Sequence, residues 1–475
     1  DILSISGQTD LLALNASMRH TPWSAPTKSF GQEASSSEDS IIMSRTPHTP
    51  LNLSPSLSGI LPDILSLANI KADIEAKSGT LISDSYDAQN SFSDLHASTN
   101  LDSVYIESLR IKTGSTSASI SGSVKGVREF LTSPSPALLV VSLDADLDCV
   151  DINKLSGAYY RGQEKATGKP AVYEAPKPGA YTAADSLCIL IPRNLAADIR
   201  LRSESAKYMD WEFSPLSTQI IIDNGVATLH NLTVGAPYCT AIVDWTYSTA
   251  DLNDIFMQLH ANVKNFEFRD FLTQFPSLSE ENPQLANLSG SVSAEADGKF
   301  LMFPDMFLNV ESMKGDVNID GEDIEFKREG KIAGITHLML IKGDNPLAVP
   351  SLKIHGSFHD NLLQVDPFTI KCGGYDLLVA GVNNLEGEMY YHLGLVNNPF
   401  HLPFGINIVG NYHHPGIRFG GSGVKDGRER EISSSLESTA DVNIMRQLKY
   451  GWLLFIENAA KYDHLNNHSY MSDVE

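Results

Sequence analysis

The chain reads as all-β with a minor helix: an elongated, twisted antiparallel β-sheet followed by one C-terminal amphipathic helix. Three observations predict this. From Leu352 to Phe419 apolar and polar residues alternate through strand after strand, and a period of two puts the apolar members of a strand on one face of a sheet. Hairpin signals recur at Asn224-Gly225, Asp297-Gly298 and Asp320-Gly321, pairs suited to tight turns. Only Asp441 to Lys461 carries a long helical spacing, with apolar residues at steps of three and four.

Taken in order, Ile2 to Gly7 and Leu11 to Met18 read as two strands. Residues 24–60 are rich in Ser, Pro and Thr, which predicts a long loop or disordered insertion. Alternation resumes at Ile70, Ala72, Ile74 and Ala76 and continues through Val104, Ile106, Leu109 and Ile111. Its clearest run is Ala137 to Cys149, where Leu139, Val141, Leu143, Ala145, Leu147 and Cys149 share a face. Residues 156–186 hold Gly, Pro, Lys and Ala and read as a loop between two similar halves. Leu195, Ala197, Ile199 and Leu201 restart the pattern, and a short helix is expected at Arg269 to Phe275 before an acidic connector, Ser277 to Pro283. Gln219 to Val234 and Ile354 to Ile370 repeat one unit: strand, turn at Asp223-Asn224 or Asp360-Asn361, strand. This is weak repetition of a solenoid-like kind, with no βαβ alternation. After polar residues 422–438, Asp441 is the expected cap of the last helix, and Val442, Met445, Leu448, Trp452, Phe455 and Ala459 form its stripe. The expected segments are therefore 1–155 with the insertion near 24–60, a linker at 156–186, a second β region at 187–421, and the polar linker plus helix at 422–475.

Composition narrows the function. The 475 residues carry a net charge of -23, which argues against nucleic acid or a bare anionic membrane as the main partner. No run approaches the about 18–20 apolar residues that span a bilayer. The start, Asp1-Ile2-Leu3-Ser4-Ile5, lacks a basic n-region and an apolar h-region and reads as part of a longer protein. Cys149, Cys188, Cys239 and Cys372 are scattered. They suit small buried hydrophobes better than a metal site or disulfide framework.

Few constellations suggest chemistry. Asp144, Asp146 and Asp148 alternate on one strand face, followed by Asp151; they read as a solvated outer face, with calcium as the alternative. His355 and His359 share a face about 13 Å apart in an extended strand, too far for one zinc ion. His413-His414-Pro415 reads as a turn. No nucleophile elbow, zincin, phosphate-loop or dinucleotide motif occurs. The expectation is a non-enzyme with no cofactor and no metal.

The order of several segments resembles the AsmA-like family of Gram-negative bacteria, in its Bacteroidetes form. The segments are Ile2 to Asp10 with Ala16 to Trp23, Ile191 to Leu195, Gln284 to Gly290, Gly356 to Gly374 and Phe404 to Gly420. The resemblance covers most of the chain and includes no catalytic signature. It implies kinship with bridge-like lipid transfer proteins, whose sheet curls into an apolar groove. It also implies a periplasmic location and an inner-membrane anchor, which is absent from this chain.

An ordinary sandwich would bury these apolar faces as a core. The resemblance, the many small strand residues and only four Trp favour an open groove. Its expected lining is Leu139, Val141, Leu143, Leu147, Ile199, Leu201, Leu363, Val365, Phe368, Ile370, Leu377, Val379, Tyr391, Leu393, Leu395, Ile406 and Ile408. The implied function is to shield and transfer phospholipid, or another membrane lipid, between inner and outer membranes in support of outer-membrane assembly, with envelope proteins as possible partners. The alternatives are an outer-membrane assembly factor that transfers no lipid, and a β-rich adhesin or carbohydrate-binding protein.

Overall fold

The computed structural model describes residues 71–472 apart from 82–85, 89, 134–136, 169–187, 275–286, 340, 342–344, 360, 373, 385–386, 399–403, 412–413 and 424–442. The strands expected within residues 2–23, the insertion at 24–60, the connector at Ser277 to Pro283 and the capping role of Asp441 lie outside the described residues.

The strands β1 (Ala72–Leu81), β2 (Asn90–Thr99), β3 (Ser103–Thr113), β4 (Thr116–Lys125) and β5 (Leu139–Asp151) come first, with α1 (Val127–Thr132) between β4 and β5. Then come α2 (Ile152–Thr167), β6 (Leu195–Tyr208), β7 (Trp211–Phe213), β8 (Leu216–Asp223), β9 (Val226–Ala236), β10 (Cys239–Ser248), β11 (Ile255–Glu267) and α3 (Phe268–Gln274). The chain continues through β12 (Leu288–Met302), β13 (Leu308–Phe326), α4 (Gly330–Leu338), β14 (Leu347–His359), β15 (Leu362–Cys372) and β16 (Tyr375–Asn384). It closes with β17 (Glu388–Asn397), β18 (Phe404–Asn411), β19 (His414–Gly420) and α5 (Ile444–Ser472).

All 19 strands of the described residues belong to one open, curled sheet. Each strand pairs with its sequence neighbours, except that short β7 lies on the end of β6, so that β6 pairs directly with β8. Leaving out β7, the array measures about 80 Å along its contour at about 4.8 Å per step. Every pairing is antiparallel but one: β5 and β6 run parallel, from Leu139 opposite Leu195 to Asp151 opposite Lys207. A parallel pair needs a crossover, normally helical, and α2 lies within it.

This corrects two expectations. Residues 156–167, expected as the start of a loop, belong to the helix α2, and the chain does contain one βαβ-like step. Asp151 caps α2 by accepting from the Lys154 N–H at 3.1 Å, and Gly168 ends it in the left-handed region at φ 65°. The buried residues of α2 are small, among them Ser156, Gly157, Ala158 and Gly162. They allow α5 to approach closely.

The turn signals divide. Asn224 and Gly225, both at positive φ, form the β8–β9 turn, and Asn361 at φ 66° lies in the β14–β15 turn. Asp297-Gly298 and Asp320-Gly321 are not turns; they lie within β12 and β13. Packing accounts for Gly321, where a Cβ would come 3.0 Å from Ile324 Cγ1 and 3.2 Å from Leu352 Cβ.

The hairpin turns define two rims. The Gly225 rim also holds the start of β6 and the β10–β11 and β12–β13 connections; the Tyr238 rim holds the β9–β10 turn and the helices α2, α3 and α4. α3 matches its expected position within a residue at each end. α5 starts at Ile444, three residues after Asp441, and continues to Ser472, past its expected end at Lys461; Asn443 caps it by accepting from the Arg446 N–H at 3.0 Å.

Candidate functional site

Directly opposed residues of neighbouring strands point to the same side of a sheet. The register therefore yields one continuous apolar line: Ile74, Ala97, Ile106, Gly122, Leu143, Ile199, Ile220, Leu229, Trp245, Leu259, Gly298, Gly315, Phe358 and Leu363. A second line carries on through Val317, Gly356, Val365, Gly381, Tyr391, Ile408 and Ile417. One face of the sheet is thus apolar from β1 to β19.

All seventeen expected lining residues lie on this face. Leu139, Val141, Leu143 and Leu147 come from β5, and Ile199 and Leu201 from β6. On β15 the set changes parity, from Leu363 and Val365 to Phe368 and Ile370. A bulge at Asp366-Pro367 causes the change: Val365 opposes Gly381 and Phe368 opposes Val379. One extra residue flips the following side chains back to the same side.

The face is not uniformly open. Near the Tyr238 rim, Ile335 and Leu338 of α4, with Met339 and Ile341 after it, pack on Ile324, Leu347, Val349, Tyr375, Leu377, Leu395 and Ile406. Leu377, Leu395 and Ile406 are buried there; Ile370, Val379 and Leu393 pack against the same cluster. This corrects their assignment as groove lining. They are core, because α4 fills the gap left where β14 and β15 separate after only four paired positions, Gly356 to His359. Leu139, Val141, Leu143, Leu147, Ile199, Leu201, Leu363, Val365, Phe368, Tyr391 and Ile408 remain half-buried on the open part.

A hollow of about 490 Å³ sits in that open part, lined by Ala296, Phe300, Met313, Val317, Phe358 and Leu363 and floored by Gly298, Gly315 and Gly356. Glycine deepens the groove by withholding side chains. Gly381 does the opposite: the Tyr391 ring covers it so closely that a Cβ would come within 2.0 Å. The Tyr391 hydroxyl donates to Asn383 Oδ1 at 2.7 Å, and burial raises its pKa.

The opposite face is polar and charge-paired along most of the sheet, except at β15–β18, where Val382 and Tyr390 form a small buried apolar cluster with Leu362 and Val409 packed against it. Arg202 on β6 donates to Asp146 through Nε at 2.7 Å and a second nitrogen at 3.3 Å, and this bonding holds the Asp146 carboxyl below its ordinary range. Arg200 lies 3.7 Å from Asp144, Ser117 donates to Asp148, and Asp151 is the α2 cap. Repulsion among these stacked carboxylates is thus relieved by neighbouring arginines and local hydrogen bonds. Farther along, His230 bonds Asp244, His260 bonds Asp297 at 2.7 Å, and His355 bonds Asp366 at 2.8 Å. His260, Glu295 and Asp297 bring one imidazole and two carboxylates within 4.8 Å of one another. No sequence spacing marks this group, because only strand register brings β11 and β12 together.

Two further clusters flank the groove. At the Gly225 rim, Tyr247, Ile255, Met257, Met302 and Met306 form a buried core against Cys188, Trp245, Phe300, Ile444 and Met445. Burial drives the Tyr247 hydroxyl and the Cys188 thiol upward in pKa, with their sulfur and oxygen 3.4 Å apart. At the Tyr238 rim, a cleft of about 760 Å³ lies between α2 and the chain before β2. Its Arg161 bonds Asp463 of α5 at 2.9 Å and approaches Asp87 at 3.7 Å. Tyr86 there is pushed up to about 12, chiefly by burial.

Among the described residues no helix is long and apolar enough to cross a membrane. Compared with protein-family profiles, curated proteins and solved structures, the chain gives no match.

Proposed function

We propose that the apolar face holds lipid acyl chains and lets them pass along the sheet in water, a non-enzymatic transfer between membranes. The observation that supports it is the unbroken apolar line across the sheet, left half-exposed outside the α4 cluster and the Tyr247 cluster at the Gly225 rim. A soluble sheet ordinarily covers such a face with a second layer, and exposed apolar patches of this extent mark binding surfaces. Acyl chains suit the groove by shape: they are narrow, linear and uniformly apolar. Each methylene shielded from water is worth about 0.8 kcal/mol, so about 16 methylenes offset about 13 kcal/mol of the cost of leaving a bilayer. The headgroup would stay in water at a rim, so selectivity rests on the chains.

This reading agrees with the AsmA-like resemblance, and with it come a periplasmic setting and exchange between inner and outer membranes as parts of the same proposal. Lipids extracted from the purified protein and identified by mass spectrometry test it, followed by transfer of fluorescent phospholipid between two vesicle populations. Stoichiometric phospholipid and accelerated transfer are expected. Lipid-free protein that accelerates nothing would leave an assembly role as the better account, and bound glycan would favour the adhesin.

A further inference from the structure

A glycine inside a strand weakens it. It recurs at bulges and where backbone or a ligand approaches closely. Three glycines floor the hollow in the open groove, and the protein itself accounts for two of them. A Cβ on Gly315 would come 2.4 Å from the Asp297 carbonyl oxygen, and one on Gly356 would lie 3.2 Å from Val317 Cγ1 and 3.3 Å from the Gln364 carbonyl oxygen. Gly298 is different: a Cβ there would meet no atom of the described residues within 4 Å. Its φ is not in the left-handed region. Leu259 lies opposite it on β11 and Gly315 on β13, and the nearest register shift comes beyond Lys299. Bulge, backbone crowding and left-handed conformation are thereby set aside, which leaves room kept for a ligand.

The position of Gly298 shows what that room serves. Leu259, Gly298, Gly315 and Phe358 are successive members of the apolar line. For two strands, about 10 Å of the contour, the line carries no side chain between Leu259 and Phe358. Phe300 and Met313 stand on the Gly225 side of the hollow, and Ala296 and Val317 on the Tyr238 side. A chain that follows the apolar line crosses β12 at Gly298. A side chain the size of Leu259 at that position would stand in the crossing.

We propose that Gly298 sets the clearance of the groove: an acyl chain crosses β12 over it, and the missing side chain decides how bulky a chain passes. This rests on the lipid reading above and adds to it a residue that determines specificity. An acyl chain suits the crossing, because the side chains around it are apolar and it brings no polar group that would need a partner.

Transfer of headgroup-labelled phosphatidylethanolamine between vesicles, with mass spectrometry of the lipid that stays bound, tests this on the full chain. Gly298→Leu is compared with Asn318→Leu, which adds the same side chain at an exposed position on the polar face. An acyl chain lifted over the added isobutyl group exposes at least two methylenes, so transfer by Gly298→Leu should slow by about ten-fold or more. Lipid should stay bound elsewhere on the face, and Asn318→Leu should transfer as the unaltered chain does. Equal transfer by Gly298→Leu and the unaltered chain would overturn the clearance role and leave the lipid reading standing. Loss of bound lipid along with transfer would make the hollow a seat and not a crossing, and would also overturn it. An unaltered chain that transfers no lipid would remove the transfer reading and the clearance with it. Gly298→Cys covers a leucine variant that does not fold. Its thiol is modified after folding with methyl or benzyl methanethiosulfonate, and the unaltered chain treated alike accounts for the native cysteines. Transfer that falls further with the benzyl than with the methyl group supports the clearance; equal transfer with both, or a thiol that does not react, overturns it.

Discussion

The rings of Tyr208 and Phe455 lie parallel, with planes 5° apart and centroids 4.2 Å apart. They tie the end of β6 to the middle of the last helix. Replacing Phe455 with Ala removes this stack and should cost about 2 kcal/mol, below the core range because Phe455 is half-buried. Urea unfolding followed by hydrogen exchange of residues 452–463 would show it. An unchanged midpoint with unchanged protection would mean that other contacts hold the helix.

Gly157 and Asp463 make a second joint. A Cβ on Gly157 would lie 2.2 Å from Asp463 Oδ2. Gly157→Ala should therefore destabilise by about 1–3 kcal/mol, and the loss should shrink by about half or more when Asp463→Ala is also present. Independent effects in a double-mutant cycle would show that the small residue serves something other than the α2–α5 approach.

Aspartate scanning separates the closed and open parts of the apolar face. Leu395→Asp puts a carboxylate into the α4 cluster and should unfold the protein, since an unpaired buried charge is costly. Val365→Asp, on the half-exposed part, should keep the β-sheet circular dichroism signal and abolish lipid transfer. Unfolding of both variants would mean that the whole face is core.

Two charged pairs on the polar face set opposite pH slopes. Asp244 lies below its ordinary 3.8, held first by the Asn231 N–H and then by His230. Its contribution is present above pH 3.8 and is lost as pH falls through the lower folded value. His260 lies above its ordinary 6.5 because it bonds Asp297. Its contribution is full below pH 6.5 and is lost as pH rises through the higher folded value. Thermal stability should therefore peak between about pH 4 and 6.5, with small slopes that weaken in salt because these groups are solvated. Asp297→Asn should flatten the alkaline slope and leave the acid one. A profile unaffected by that change would dissociate the pair from stability.

The strands were legible in the sequence because alternation is a local property: Leu143, Ile199 and Leu363 face the same way for reasons within their own strands. Even the shift from Val365 to Phe368 was visible, although its cause, the bulge at Asp366-Pro367, needed the partner strand. α2 was not legible. Gly157 and Gly162 read as loop residues, and their reason for being in a helix is α5, far along the chain. The same holds for Leu377, Leu395 and Ile406, whose alternation matches that of the open positions; only the placement of α4 separates core from groove. Trp452 was legible as part of an apolar stripe but not as a largely exposed ring stacked on Phe455, since that depends on where the helix is fastened.

The pairing order carries a timetable. Almost every ladder joins strands adjacent in sequence, so each needs only a short loop to close and can form soon after its second strand is made. The helix bridge is the opposite case: Arg161 and Asp463 are 302 residues apart. During synthesis the sheet can grow hairpin by hairpin with its apolar side uncovered, and the span from rim to rim can be fastened only when the final helix emerges. A nascent sheet thus lacks its rim-to-rim fastening until residues 444–463 are made, long after the ladders they tie together have closed.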